Sequence, residues 1–175
     1  MIVHVPDRSR LRAGDHPRAA LFLDRDGVLM EDVHFARSAA DVRVLPRTRE
    51  ALDAVRADFA LVVVTNQSGL ARGFFDEEAL AAMHAKLDEA CWLDAFYACP
   101  HHPEGAVARW ARPCACRKPE PGLLLAAAEA HDLALDRSVM IGDAPRDVEA
   151  GRRAGVRSLL LENGHSLFEA LEWIR

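Results

Sequence analysis

The stretch Ala19-Ala20-Leu21-Phe22-Leu23-Asp24-Arg25-Asp26-Gly27-Val28 contains the strongest clue to the fold. A short apolar run that ends in a polar, glycine-containing segment is typical of a buried strand followed by a loop. Asp24 and Asp26 then lie at the carboxyl end of this strand, where open α/β sheets bind their ligands. Two acids placed in this way allow one carboxylate to attack as a nucleophile while the other transfers a proton. The D-x-D-G pattern also occurs in calcium loops and in ordinary turns.

Strand and helix patterns alternate along the rest of the chain. The first apolar run predicts a strand at 19–23, and later runs predict strands at 59–64, 95–98, 138–141 and 157–161. Helix patterns are predicted over 47–57, from an N-cap at Asp76 to about 90, and over 121–131, 146–154 and 166–174. This alternation predicts an α/β fold, a doubly wound parallel sheet with helices on both faces.

The domain organisation is predicted to be simple. Residues 1–18 are mostly polar, and we expect a loose extension or an edge strand there. Residues 19–175 are predicted to form a single domain, because they contain neither a linker nor an internal repeat. The long loop 27–46 follows the carboxylate pair, and a long loop in such a place often forms a wall of the substrate site.

Composition narrows the class of protein. The net charge is −5 and no long basic run occurs, so we expect no nucleic-acid partner. No apolar stretch approaches the length of a membrane span, and the charged N-terminal residues do not resemble a signal peptide. We therefore expect a cytoplasmic monomer. The four cysteines then indicate metal binding or burial rather than disulfides.

Polar residues at the predicted strand ends suit phosphoryl transfer. A phosphoryl group in transfer carries spread negative charge, so it needs hydrogen-bond donors, a fixed cation and usually a metal ion. Thr65 and Asn66 can donate hydrogen bonds, and Lys118 can supply the positive charge. Asp24 and Asp143 can share Mg²⁺ through oxygen ligands. Each of these features is common alone, but their order after successive apolar strands indicates a phosphoryl-transfer site.

A second cluster of chemically active residues lies in the segment 99–118, which we call the zinc loop. Cys99 and His101 form a C-x-H pair, and Cys114 and Cys116 form a C-x-C pair. Three thiolates and one imidazole are a standard tetrahedral zinc set, although C-x-x-C is the more usual spacing. Cysteines buried in the core are the alternative, but prolines and a glycine indicate an irregular loop here.

Four motifs together resemble those of the haloacid dehalogenase-like phosphatase superfamily. In chain order they are D-R-D-G-V (24–28), T-N-Q-S-G (65–69), C-R-K-P (116–119) and G-D-A-P-R-D (142–147). The resemblance covers about residues 19–161. It implies that Asp24 is a nucleophile that forms an aspartyl-phosphate, and that Asp26 protonates the leaving alcohol and then activates water.

The same resemblance implies the binding groups. Thr65 and Lys118 would hold the phosphoryl group. Asp24, the backbone carbonyl of Asp26, and Asp143 would bind Mg²⁺, with Asp147 as an orienting group outside the ligand shell. Because no large insertion separates the motifs, no separate cap domain is implied.

The zinc loop indicates a more specific resemblance, to one family within this superfamily. C-P-H-H-P-E-G (99–105) and C-A-C-R-K-P (114–119), with V-V-V-T-N-Q-S-G-L-A-R-G (62–73) upstream, resemble the heptose bisphosphate 7-phosphatase family. This implies a small sugar bisphosphate as substrate, in the synthesis of lipopolysaccharide or other surface glycans. The family's C-x-H pattern favours His101 over His102 as the ligand of a structural zinc. Arg117 is a candidate contact to the second phosphate, because arginine forks suit phosphate oxygens.

Some positions depart from the family pattern, and two alternatives stay open. Met30 and His34-Phe35 replace an Asn and a Gly-Tyr pair at the expected substrate wall, and Ala144 replaces a common Lys or Ser. One alternative is a phosphatase for histidinol phosphate or another small phosphate ester. The other is a zinc-stapled binding protein without activity, although such proteins usually lose at least one of the catalytic groups that this chain retains.

Overall fold

The computed structural model describes residues 1–7, 11, 17–162 and 165–172, and a six-stranded sheet forms its centre. The strands are β1 (Ile2–His4), β2 (Ala20–Leu23), β3 (Ala60–Asn66), β4 (Ala95–Cys99), β5 (Val139–Gly142) and β6 (Arg157–Leu160). Their order across the sheet is β1-β4-β3-β2-β5-β6, and all neighbours are parallel except β1, which is antiparallel to β4. Part of the N-terminal extension is therefore an edge strand, whereas 8–10 and 12–16 lie outside the described residues.

Helices cover both faces of this sheet. The described helices are α1 (Thr48–Val55), α2 (Gly69–Arg72), α3 (Glu77–Cys91), α4 (Gly122–His131), α5 (Pro145–Arg153) and α6 (Leu167–Glu172). Because side chains alternate along a strand, Leu21 and Leu23 pack with α1, α3 and α6, while Phe22 packs with α4 and α5. The predicted doubly wound α/β fold is confirmed.

The predicted elements agree with the structure to within two residues at each end, and residues 173 and 174 of the last predicted helix lie outside the described part. The carboxylate of Asp76 accepts a hydrogen bond from the Ala79 amide at 2.9 Å, which confirms the predicted N-cap of α3. Helix α2 was not predicted, because a single helical turn is too short to show a period. The 3₁₀ turns at Ala39–Asp41 and Leu135–Arg137 escaped prediction for the same reason.

Two long connections lie at the carboxyl edge of the sheet. Within 17–162, residues 24–47 and 100–121 are the longest stretches without a strand or an α-helix, and they leave β2 and β4 at that edge. They are therefore placed to border a site at the strand ends. None of the helices in the described ranges has the length and apolarity that are needed to cross a membrane.

Candidate active site

The carboxyl ends of β2 and β3 open into a cavity of about 190 Å³. The predicted site residues that line it are Asp24, Asp26, Thr65, Asn66 and Arg117. Asp143, which follows β5, borders an adjoining cavity that shares Asp32 with the first. Because parallel neighbours end at the same edge, residues far apart in sequence come together here.

Lys118 lies behind the wall of this cavity and is completely buried. Its ammonium nitrogen is 3.0 Å from Oδ1 of Asp24 and 2.7 Å from Oδ1 of Asp147, and it donates to the carbonyl of Val64 at 2.8 Å. Burial alone would lower the pKa of Lys118, but the two carboxylates outweigh burial and raise it. Lys118 is therefore a fixed positive charge beside Asp24.

Asp143 lies close to the two carboxylates that contact Lys118, and we call Asp24, Asp143 and Asp147 the acidic cluster. Each contributes an oxygen that lies within 4.8 Å of those of the other two. Burial, reinforced by the charges of Asp24 and Asp147, raises the pKa of Asp143 to about 6. Burial also raises the pKa of Asp147, although Lys118 opposes this shift. One ammonium does not balance three carboxylates, so the cluster favours an additional cation.

The donor set of the cluster fits Mg²⁺, which prefers carboxylate oxygens. Oδ1 of Asp143 is buried and has no hydrogen-bond partner among the residues that the structure describes. Asp147 is already used, because it pairs with Lys118 and its Oδ2 accepts from the Ala144 amide at 3.0 Å. Asp24 and Asp143 are thus the side chains best placed to bind the ion.

Gly27 keeps the first motif close to Asp143. Its φ of +79° is a left-handed conformation that L side chains rarely adopt, and a Cβ at this position would overlap Oδ2 of Asp143. The glycine of D-x-D-G therefore allows the loop after β2 to approach the loop after β5.

Asp26 is held by two neighbours that the sequence analysis did not select. Arg25 donates from Nη2 to Oδ1 at 2.9 Å and from Nε to Oδ2 at 3.0 Å. Gln67 donates from Nε2 to Oδ2 of Asp26 at 3.0 Å and to the Thr65 hydroxyl at 2.9 Å. The Thr65 hydroxyl thus accepts one bond and keeps its own hydrogen available to donate.

Asn66 is used differently from the phosphate contact that the sequence predicted. Its side-chain amide donates to the Lys118 carbonyl at 3.0 Å, and its side-chain carbonyl accepts from the Lys118 amide at 3.0 Å. Both polar atoms of Asn66 therefore hold the backbone of Lys118, although the residue also lines the cavity.

Two arginines also line the cavity. Arg117 donates to the backbone carbonyl of His101 at 3.3 Å, and Arg146, at the start of α5, lines the cavity with it. Neither has a carboxylate within 4 Å in the described residues, whereas Arg152 and Arg153 of the same helix both pair with Glu149. The two arginines of the cavity are therefore free to bind an anionic ligand.

The positions that depart from the family pattern separate into two groups. His34 and Phe35 line the cavity, as expected for a substrate wall. Met30 does not, because it is fully buried with Leu80 and Met83. The expectation that Met30 shapes the wall is wrong, since its backbone bridges to Val44 and turns the side chain into the core.

The predicted zinc ligands form a compact group, which we call the thiol cluster: Cys99, His101, Cys114 and Cys116. Its sulfur–sulfur distances are 3.3–3.5 Å, and Nδ1 of His101 is 3.4 Å from Cys116 and 3.7 Å from Cys99. Ligands of a tetrahedral zinc lie about 3.5–3.8 Å apart, given the usual bond lengths. The thiol cluster is therefore compatible with a zinc ion. None of the four cysteines forms a disulfide.

The protonation of the thiols also suits a metal site. Contact with Cys99 lowers the pKa of Cys116 to about 5 against the effect of burial, while contact with Cys116 and burial raise the pKa of Cys99. The cluster thus readily contains a thiolate, the form that binds metals. His102 lies outside it, because its ring contacts Arg72 at 3.1 Å and the Glu104 amide at 3.2 Å.

The thiol cluster adjoins the cavity. Cys116 is two residues before Lys118, and the Cys99 carbonyl accepts from the Gln67 amide at 2.8 Å. The zinc loop therefore fixes residues on two sides of the cavity.

Sequence reasoning missed Arg25, Gln67 and Arg146. Arg25 and Gln67 lie inside motifs that were already selected, and adjacency to Asp26 and Thr65 was the available signal. The available signal for Arg146 was its place in the first turn of a predicted helix. A cation is unfavourable there because it faces the positive end of the helix dipole.

Comparisons with known proteins agree with this geometry. Residues 115–173 match the HAD-hydrolase-like family. The D-glycero-beta-D-manno-heptose-1,7-bisphosphate 7-phosphatase of Vibrio cholerae is 37% identical over 150 residues, which cover 82% of this chain and 81% of the relative. A HAD-like phosphatase from Mesorhizobium loti superposes with a TM-score of 0.82 at 32% identity, covering 98% of this chain and 93% of its own. The D,D-heptose 1,7-bisphosphate phosphatase from B. bronchiseptica, complexed with magnesium and phosphate, gives a TM-score of 0.76 at 33% identity, covering 89% and 97%.

Proposed function

Because this chain belongs to the haloacid dehalogenase-like phosphatases, in the family of the heptose 1,7-bisphosphate 7-phosphatases, we propose that it removes the 7-phosphate of D-glycero-D-manno-heptose 1,7-bisphosphate. The observation that carries the proposal is the position of Asp24 in the cavity wall, with a buried cation, Lys118, 3.0 Å away. A carboxylate beside a fixed positive charge can approach a phosphoryl dianion that it would otherwise repel.

The first half of the reaction transfers the phosphoryl group to the enzyme. A carboxylate oxygen of Asp24 attacks phosphorus, and the bond between phosphorus and the 7-oxygen of the sugar breaks. Asp26 gives its proton to that oxygen, so the sugar leaves as an alcohol. Thr65 and Lys118 stabilise the charge of the phosphoryl oxygens. The products are an aspartyl-phosphate at Asp24 and ionised Asp26.

The second half returns the enzyme to its starting state. Asp26, now a carboxylate, accepts a proton from water while the water oxygen attacks phosphorus. The bond between phosphorus and Asp24 breaks, which releases inorganic phosphate. Asp24 is again a carboxylate and Asp26 is again protonated.

The metal assignments are part of the proposal. Asp24, Asp143 and the backbone carbonyl of Asp26 would hold Mg²⁺, which neutralises repulsion between the nucleophile and the phosphoryl group. Asp147 orients Lys118 from outside the ligand set. The thiol cluster would hold a structural zinc, because four protein ligands leave no open position for chemistry.

The substrate assignment rests on two arginines of the cavity as well as on the relatives. A bisphosphate carries a second anionic group away from the reacting one, and Arg117 and Arg146 offer two cations that have no carboxylate partner in the described ranges. Guanidinium groups bind phosphate oxygens in pairs. We extend the proposal to one domain over 19–175, because its parallel strands form a single sheet. We also propose that the protein is a cytoplasmic monomer, and its four free cysteines are consistent with a reducing compartment.

The test is phosphate release in the presence of Mg²⁺ from two substrates in parallel. One is the heptose bisphosphate in each C1 anomer, and the other is histidinol phosphate. We expect strong preference for one heptose anomer, with loss of the 7-phosphate only. Preference for histidinol phosphate would retain the mechanism and overturn the substrate, whereas turnover of neither would contradict the proposal.

A further inference from the structure

Arg25 is a buried arginine whose position needs an explanation. Its side chain is 2% exposed, and its one carboxylate partner in the described structure is Asp26. The other terminal nitrogen, Nη1, lies 4.0 Å from the sulfur of Met83. Burying a guanidinium is costly, and an apolar side chain of similar size often gives equal or better stability. The contact with Asp26 is therefore better explained by function than by stability.

Gln67 approaches the same carboxylate as a second donor. Oδ2 of Asp26 accepts from Nε of Arg25 and from Nε2 of Gln67, each at 3.0 Å, whereas Nη2 of Arg25 is the one donor to Oδ1 among the residues that the structure describes. A carboxylate oxygen has about two lone-pair positions. Oδ2 is thus fully occupied, and Oδ1 keeps one position free.

We infer that Arg25 and Gln67 are positioning residues that make Oδ1 of Asp26 the oxygen that carries the proton. Asp26 lines the cavity and its side chain is 25% exposed, so its carboxyl group has access to a substrate. Gln67 also bonds the Thr65 hydroxyl, so it aligns the acid–base group with a phosphate ligand. This inference rests on the proposed phosphatase activity.

Substrates with different leaving groups distinguish a misplaced Asp26 from a general loss of active-site structure. A sugar alkoxide needs the proton of Asp26 to leave, whereas p-nitrophenolate is stable enough to leave without it. Water attack on the aspartyl-phosphate needs Asp26 as a base with either substrate. A misplaced Asp26 should therefore slow both half-reactions of a sugar phosphate, but only the second with p-nitrophenyl phosphate.

The experiment compares Arg25→Lys, Gln67→Leu and a matched control, Arg56→Lys. Arg56 also pairs with an aspartate, Asp53, but away from the cavity. With the heptose bisphosphate, we expect kcat of Arg25→Lys to fall about 10- to 100-fold and that of Gln67→Leu about tenfold, with KM within about twofold. With p-nitrophenyl phosphate, both variants should show a burst of nearly one p-nitrophenolate per active site before a slow steady rate. The control should behave as the wild type.

Equal losses on the two substrates without a burst, or unchanged kcat, would overturn the inference. If Arg25→Lys does not fold, the burst in Gln67→Leu tests the inference, because Gln67 lies on a loop at the cavity and its replacement should leave the core intact. Wild-type protein that hydrolyses neither substrate would contradict the proposed function instead. An active wild type with burst-free variants would contradict the positioning role alone.

Discussion

The acidic cluster and the thiol cluster lie side by side, but they are assembled in opposite ways. The acidic cluster takes Asp24 from the end of β2, Asp143 from the segment that joins β5 to α5, and Asp147 from the first turn of α5. Its geometry is therefore set by the register of buried parallel strands. The thiol cluster takes all its members from residues 99–116, and Cys99 alone belongs to a strand.

This difference in assembly predicts different roles for a metal ion in the two clusters. The sheet brings the carboxylates together at the cost of unbalanced negative charge, so we expect an ion there to serve chemistry. The thiol cluster joins distant parts of an irregular loop, so we expect an ion there to serve folding. Lys118 joins the two regions, because it pairs with Asp24 and follows Cys116 by two residues.

The strongest test of the acidic cluster is Asp24→Asn. We expect at least a thousandfold loss of kcat, roughly the effect of removing a nucleophile elsewhere. The fold should remain, because the sheet sets this geometry and an amide oxygen can still accept from the Arg25 amide. Phosphate release and circular dichroism measure the two effects.

Asp136→Asn is the matched control, since that carboxylate is exposed in a 3₁₀ turn. It should retain wild-type activity. Appreciable phosphatase activity in Asp24→Asn would contradict the assignment of the nucleophile.

Removal of thiols from the thiol cluster should have the opposite result, a loss of stability that in turn lowers activity. In Cys114→Ser with Cys116→Ser, we expect zinc to fall from about one per chain to nearly zero. The midpoint of thermal unfolding should fall, and kcat/KM should drop about 10- to 100-fold, because Lys118 and Arg117 lose their anchor. Elemental analysis, calorimetry and steady-state kinetics give the three values.

Cys91→Ala provides the control, because Cys91, the last residue of α3, is fully buried in the core and is not part of the thiol cluster. Its zinc content should match the wild type. Unchanged zinc in the double serine variant would place the ligands elsewhere. Full activity without zinc would contradict the proposal that the thiol cluster positions Lys118 and Arg117.

The two regions also differ in how far sequence alone predicts them. The strands were predictable because buried parallel strands are continuous apolar runs, and the convergence of Asp24 and Asp143 follows from their places at strand ends. The members of the thiol cluster were predictable from residue type and spacing.

Side-chain direction in the loops and at the end of β3 was not predictable. Asn66 turns to the backbone of Lys118, and Met30 turns into the core through a bridge to Val44. The loop after β2 has no period that fixes the direction of Met30, and the apolar run that predicted β3 ends at Val64, two residues before Asn66. The start of α5 was predicted to within one residue, but the contribution of Arg146 to the cavity depends on tertiary packing that no local pattern shows.

Arg146 extends the comparison to substrate binding, because it lines the cavity and its charge opposes the raised pKa values of Asp143 and Asp147. In Arg146→Ala we expect KM for the heptose bisphosphate to rise about tenfold, the loss of roughly one charge-assisted hydrogen bond, with little change in kcat. With a phosphate ester that has no second phosphate, Arg146→Ala should have the same KM and kcat as the wild type. Arg152→Ala is the matched control, since Arg152 lies on the same helix but pairs with Glu149. Equal increases of KM for both substrates would show that Arg146 attracts the reacting phosphate instead, and an unchanged KM would leave Arg117 as the arginine that recognises the distal anion.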